Sequence, residues 1–186
     1  MTAISTDIHK ELINKSIQGN SKAMYELYRL YSKAIFNTCF RIMNNKEDAE
    51  DMLQEVFCEV FRKLHQFRFE STFGAWMKRI AVNMSINEIK KRKTELVFLD
   101  EFSDTDFADE NNSDNEEEVE YTVEMVLNAL EHLSAGSRMV FSLYMLEGYQ
   151  HNEIAAMLSI SESTSKNQLL RAKNKIKSIL ELKINK

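Results

Sequence analysis

The sequence predicts an all-α protein in which two small helical domains are joined by an acidic, flexible linker. The 186 residues include no proline and only four glycines, which leaves few residues for tight β-hairpin turns. Apolar residues recur at spacings of three and four in both halves of the chain, and this is the period of one helix face. A stretch without lysine or arginine, residues 94–137, separates the two periodic regions. We therefore expect helical domains at 1–95 and 121–186, with a linker at 96–120.

The first domain is predicted to contain a short helix followed by longer ones. The short helix ends at Gly19, because glycine readily adopts the conformation that terminates helices. A second helix starts at Ser21, whose side chain can cap it, and ends at Asn44. The third helix has acidic residues in its first turn, where the helix dipole favours them, and continues to Leu64.

Aromatic and basic residues gather at the start of a fourth predicted helix, which has Ser71 or Thr72 as its cap. Unstacked bases lie on aromatic rings while cations follow the backbone, so this composition suits single-stranded nucleic acid. The alternative is that the rings are core, which the apolar stripe favours for Phe73 and Trp76. The loop 67–72 is the better candidate for a base pocket. The residues concerned are Phe67, Arg68, Phe69, Phe73, Trp76, Lys78 and Arg79.

The third helix carries charged residues on the side opposite its apolar stripe. These residues are Asp48, Asp51, Glu55, Glu59 and Arg62. Such a face is usually only solvated. The alternative is a docking face for a basic or polar partner.

The second domain is predicted to be a set of shorter helices. A helix over 123–133 is followed by one that Ser134 caps and that runs to Gly148. A short helix at 152–158 and a last helix at 162–182 are separated by a brief turn, which is typical of a helix-turn-helix.

The last helix has polar residues in its first turns, where a recognition helix faces the major groove of DNA. Basic residues one turn later are expected to reach phosphates. The alternative is an ordinary helical hairpin with a basic exposed face. The residues concerned are Thr164, Lys166, Asn167, Gln168, Arg171 and Lys173.

Charge is distributed unevenly along the chain, so the overall net charge of -5 does not exclude a nucleic-acid partner. The net charge is +4 over residues 1–95, -11 over 96–120 and +2 over 121–186. Both predicted domains are therefore basic, and the acidic excess lies in the linker.

Metal, redox and catalytic chemistry are not predicted. The two cysteines, Cys39 and Cys58, lack the spacing and the histidine neighbours of a zinc site. No glycine-rich phosphate loop and no triad-like spacing occurs. The N-terminus lacks a signal peptide, and no apolar run is long enough to cross a bilayer. We expect a cytoplasmic protein that is not an enzyme, without a metal, a cofactor, a small-molecule substrate or direct membrane insertion.

Three sequence motifs follow one another along the chain. They read DAEDMLQEVF at 48–57, FGAWMKRIA at 73–81 followed by Asn83, and NEIA at 152–155 leading to LRA at 170–172. In order and spacing they resemble the extracytoplasmic-function sigma factors of bacterial RNA polymerase. The resemblance implies that 1–95 is sigma region two and that 121–186 is sigma region four, which contains the helix-turn-helix.

The resemblance further implies a factor that binds core RNA polymerase, directs it to specific promoters and assists DNA melting. Core polymerase would contribute its β′ clamp helices and β flap, and an anti-sigma factor is an expected further partner. The residues implied for the clamp helices are Asp48, Asp51, Gln54 and Glu55. Those implied for the minus-ten element are Phe67, Arg68, Phe69, Ser71, Thr72, Trp76, Lys78, Arg79, Asn83, Asn87 and Lys90. Those implied for the minus-thirty-five element are Thr164, Lys166, Asn167, Gln168, Arg171 and Lys173.

A stand-alone helix-turn-helix transcriptional regulator and a helical scaffold are the competing interpretations. The acidic helix and the aromatic loop discriminate between them and a sigma factor, because a repressor needs neither.

Overall fold

The computed structural model describes residues 9–92 and 122–184, and the chain divides into two compact units between residues 92 and 93. The linker predicted at 96–120 lies outside the described residues. Within the described ranges every regular element is helical, which confirms the all-α prediction. None of the helices in these ranges is long and apolar enough to cross a membrane.

The first unit is a bundle in which α2, α3 and α4 pack against one another and α1 packs on α2. The elements are α1 (Lys10–Ile17), α2 (Ser21–Met43), α3 (Lys46–Lys63), a 3-10 turn (Leu64–Gln66) and α4 (Phe73–Arg92). Fully buried side chains from three helices, among them Leu27, Val60, Phe73 and Met77, form the core. The prediction that Phe73 is a core residue is confirmed.

Side-chain caps define where the helices of the first unit begin. Asn20, and not Ser21, caps α2, because its side chain accepts a hydrogen bond from the backbone N–H of Ala23 at 3.0 Å. Asn44 ends α2, as predicted, and it adopts the left-handed conformation with φ at 53°. Thr72 caps α4, since its hydroxyl oxygen accepts from a backbone N–H in the first turn at 3.2 Å.

The second unit packs α5, α6 and α7 against a long C-terminal helix, α8. The elements are α5 (Val123–Leu130), α6 (Ala135–Phe141), a π-helical turn (Ser142–Leu146), α7 (His151–Leu158) and α8 (Glu162–Ile184). The single helix predicted up to Gly148 is thus an α-helix that widens into a π-helical turn. The short helix predicted at 152–158 begins one residue earlier.

The turn between α7 and α8 is closed by serine residues. Ser159 ends α7 with φ at 59°, in the left-handed region, and its N–H donates to the carbonyl of Ala155. Ser161 caps α8 by accepting the N–H of Thr164 at 3.0 Å. These two contacts place α7 and α8 as a helix-turn-helix.

Candidate functional site

The outward side of α3 bears an acidic face formed by Asp51, Gln54 and Glu55, which are all exposed. Asp51 and Glu55 take part in no ion pair among the described residues. Asp48, predicted for the same site, is instead ion-paired with Arg92 at the end of α4, and its hydrogen bond is the main cause that raises the pKa of Arg92. The main contact of Asp48 is therefore one that holds α3 against α4.

The charge of α3 changes sign beyond the acidic face. Glu59 accepts hydrogen bonds from Arg62 at 2.7 Å and contacts Lys63 at 2.6 Å, and these bonds lower the pKa of Glu59 to about 2. A shallow groove of about 410 Å³ lies at this boundary. Its lining residues are Gln54, Glu55, Cys58, Glu59, Arg62 and Met84. The acidic face is thus bordered by a groove and by an ion-pair cluster with a net positive charge.

An aromatic cleft of about 800 Å³ opens where the 3-10 turn leads into α4. The residues that line it are His65, Gln66, Phe67, Arg68, Glu70, Ser71, Trp76 and Arg79. Three aromatic rings, two guanidinium groups and an exposed hydroxyl therefore share one concave surface with a single carboxylate, that of Glu70. Rings and cations together are the chemistry that an unstacked base and its phosphate require.

The phenyl ring and the indole ring of the aromatic cleft differ in exposure. Phe67 is only 7% exposed and packs on Trp76, with ring centroids 5.3 Å apart. Trp76 is half-buried and stacks partly on Phe73. Phe69 is not among the lining residues: its ring packs on Phe67 at 4.7 Å and lies under the ammonium of Lys10 at 5.5 Å. Trp76, which the sequence favoured as core, is therefore the more accessible stacking surface.

A polar stripe continues from the aromatic cleft along α4. Trp76, Arg79, Asn83, Asn87 and Lys90 are spaced by three or four residues, so they lie on one side of the helix. Arg79, Asn83 and Asn87 are exposed, whereas Lys90 is half-buried. The stripe is about 21 Å long, because each helical residue adds about 1.5 Å. Lys78 is also half-buried, and Arg68, Ser71 and Thr72 are exposed in the loop before the helix.

The start of α8 presents polar and basic groups to solvent. Lys166 and Lys173 are exposed, and Asn167 and Arg171 are half-exposed. The ammonium of Lys166 lies 2.8 Å from a carboxylate oxygen of Glu162, and this hydrogen bond lowers the pKa of Glu162. The hydroxyl of Thr164, which is half-buried, is 2.8 Å from that of Ser161.

The prediction that Gln168 faces a major groove is wrong. Gln168 is 1% exposed, and its side-chain oxygen accepts a hydrogen bond from the hydroxyl of Ser137 at 2.7 Å. The bond joins α8 to α6 inside the second unit, so Gln168 fixes the position of α8 against α6. Leu170, which belongs to the LRA motif but was not predicted as a DNA contact, is 58% exposed between Lys166 and Lys173. Leu170 lies four residues after Lys166 and three before Lys173, and this spacing could have placed it on the same exposed face of α8.

Groups for metal chemistry do not assemble in the parts of the chain that the structure describes. No cluster of three or more His, Cys, Asp or Glu side chains that could hold a metal ion occurs among residues 9–92 and 122–184.

Comparisons with known proteins match both units. The family model for sigma-70 region 2 matches residues 27–95, and that for sigma-70 region 4 matches residues 124–176. The RNA polymerase sigma-H factor of Pseudomonas aeruginosa is 26% identical over 183 residues, covering 92% of this chain and 93% of that protein. The ECF RNA polymerase sigma factor SigW of Bacillus subtilis is 31% identical over 84 residues, which is 45% of each chain.

A solved structure shares the fold. The sigma factor RpoE from Bartonella quintana, in complex with the anti-sigma factor NepR, superposes with a TM-score of 0.52 at 22% identity, covering 86% of this chain and 98% of that one. The region 2 match includes the acidic face, the aromatic cleft and the stripe on α4, and the region 4 match includes the helix-turn-helix. The chain therefore belongs to the extracytoplasmic-function sigma factors, the non-catalytic initiation factors that bind core RNA polymerase, direct it to promoters and help to open them.

Proposed function

We propose that the first unit docks on the β′ clamp helices of core polymerase through the acidic face and captures an extruded base of the minus-ten element in the aromatic cleft. The observation that carries this proposal is the continuity of the cleft with the stripe on α4. A base in the cleft leaves the next nucleotides of its strand beside Arg79, Asn83 and Asn87, which offer hydrogen bonds along about 12 Å of the helix.

The second unit then reads the minus-thirty-five element with the exposed side of α8. Asn167 and Lys166 lie in its first turns, where recognition helices contact base edges, and Arg171 and Lys173 follow within reach of phosphates. Leu170 adds an exposed apolar side chain, which suits the methyl group of thymine.

The proposal also assigns a role to each part of the chain and names its protein partners. We assign 1–95 to polymerase binding and the minus-ten element, 96–120 to an acidic linker, and 121–186 to the minus-thirty-five element and the β flap. The protein has no catalytic activity of its own and acts in the cytoplasm. An anti-sigma factor is a proposed partner, supported by the complex in which the related fold was solved. A stand-alone regulator is disfavoured, because both units match sigma regions.

Arg171→Ala tests the assignment of α8. If Arg171 meets a phosphate, the salt dependence of binding to a minus-thirty-five duplex by the holoenzyme should lose about one unit of slope, since each neutralised phosphate contributes about 0.9. If it reads a base edge, the preference at one position should relax by about 1 to 3 kcal/mol instead. Filter binding across a salt series and across single-base variants distinguishes the two results.

Lys175→Ala is the matched control for that experiment, since Lys175 is exposed on the same helix one turn beyond Arg171. The control should leave base preference unchanged. If Arg171→Ala alters neither slope nor preference more than Lys175→Ala does, the proposed reading surface of α8 is wrong.

A further inference from the structure

His151 joins three elements of the second unit. It is the first residue of α7, and its ring stacks on Tyr144 of the π-helical turn, with centroids 4.4 Å apart and planes at 21°. Its Nδ1 atom lies 2.9 Å from the hydroxyl oxygen of Ser165 on α8. A single side chain thus connects the helix-turn-helix to the segment that precedes it.

Ser165 links His151 to the residues of α8 that are proposed to read DNA. Its side chain is 0% exposed, so its hydroxyl has no access to water and needs a protein partner. His151 is the partner that the structure provides. Lys166 and Asn167, the residues proposed to face the groove, directly follow Ser165 in α8. A rotation of α8 that broke the bond to His151 would turn these two side chains away from their positions.

Burial and the nearby charges together favour the neutral form of the His151 ring. Partial burial is the main cause that lowers the pKa of His151 below its ordinary value of 6.5, and the ammonium groups of Lys166 and Lys173 on α8 act in the same direction. Glu162 on α8 opposes them. From the π-helical turn, Tyr144 contributes its ring face.

We propose that His151 is a positioning residue that fixes the recognition helix in its DNA-reading register through Ser165, and that it does so as a neutral imidazole, so that promoter reading by this unit weakens in acid. The proposal rests on the assignment of α8 to the minus-thirty-five element.

The direction of the pH effect follows from the pKa. A histidine whose folded-state pKa is lowered binds more protons when it leaves its site than when it stays there. The stabilisation is therefore complete above about pH 6.5 and is lost as the pH falls through the interval between the free and the folded pKa. Acid favours arrangements in which the ring has left Tyr144 and Ser165.

The test compares holoenzymes that carry the wild-type chain, His151→Phe, or His151→Phe combined with Ser165→Ala, bound to one promoter duplex. Phenylalanine keeps the stacking on Tyr144 but leaves the buried hydroxyl of Ser165 without its partner, so at pH 8 binding should weaken by roughly fivefold or more. The double variant removes that hydroxyl as well and should regain most of the affinity. Failure of the double variant to regain more than the single one would contradict the positioning role.

The pH profile separates this role from a merely structural one. The ratio of wild-type to double-variant affinity cancels the pH response of core polymerase. It should fall between about pH 7.5 and pH 5.5, by at most about tenfold, because one proton contributes at most about tenfold per pH unit below the free pKa. A ratio that is constant, or that rises in acid as it would for a cationic ring on a phosphate, would overturn the inference.

The titration of His151 in the wild-type chain completes the test. Ring chemical shifts of His151 in the full chain should titrate with a midpoint below 6.5, and the His151→Phe spectrum assigns the signal. A midpoint at or above 6.5 contradicts the inference alone. By contrast, a wild-type holoenzyme that ignores the minus-thirty-five sequence at pH 8 contradicts the proposed function of α8, and the inference with it.

Discussion

Replacing Trp76 with alanine should slow promoter opening by the holoenzyme by about one to two orders of magnitude, because stacking of an extruded base on an aromatic ring contributes roughly 1 to 3 kcal/mol. Trp76 is half-buried in the aromatic cleft, whereas its neighbour Phe67 is only 7% exposed. Permanganate reactivity of promoter thymines, followed over time, measures the rate of opening. Reactivity equal to that of the wild type would assign Trp76 to the core.

An abasic site in the DNA provides a control that is insensitive to folding of the variant. When single abasic sites are placed along the non-template strand of the minus-ten element, the wild-type holoenzyme should lose affinity most at the position of the captured base. The Trp76→Ala holoenzyme should show no further loss at that position, because the stacking partner is already absent. Additive losses would place the captured base elsewhere.

Reversing the charge of Asp51 should weaken binding to core polymerase by about tenfold to one hundredfold, as expected when one partner of an interfacial charge pair is removed. The side chain is exposed, so Asp51→Arg should change the free energy of unfolding by less than about 0.5 kcal/mol. Titration of labelled protein with core enzyme measures the affinity, and thermal unfolding followed by circular dichroism measures the stability.

Glu50→Arg is the matched control for the charge change. Glu50 is exposed one position before Asp51 but projects from another side of α3, towards Lys46. It should leave core binding nearly unchanged. Cys58 gives an independent readout, because its exposed thiol in the groove beside Glu55 should be protected from alkylation when core enzyme is bound, while Cys39 is buried. Equal affinities for the two variants and an unprotected Cys58 would remove the acidic face from the interface.

Helix positions in this protein were predictable because periodicity and capping are local properties. Asn44 ends α2 and Ser134 caps α6 as the sequence indicates, each through contacts within a few residues. Asn20 and Ser21 are both capping residue types in adjacent positions, so composition alone does not choose between them. The extended backbone of Asn20 decides, since it lets the side chain reach the N–H of Ala23.

The candidate site was predicted as a region, but the roles of some residues depend on distant partners. Asp48 meets Arg92 at the far end of α4, and Gln168 meets Ser137 on another helix, and neither pairing follows from helix periodicity. Both residues have the polarity of surface residues, so sequence reasoning assigned them to partner surfaces. Ser165 is likewise polar and fully buried, which only its contact with His151 explains.

The most direct test of the sigma-factor function is transcription from a genomic fragment library by purified core polymerase with and without this protein. Addition of the protein should create a discrete set of initiation sites that share two sequence elements about two turns of duplex apart, and the Trp76→Ala variant should initiate far less at the same sites. Initiation that is unchanged by the protein, or new sites with no shared upstream elements, would contradict this function.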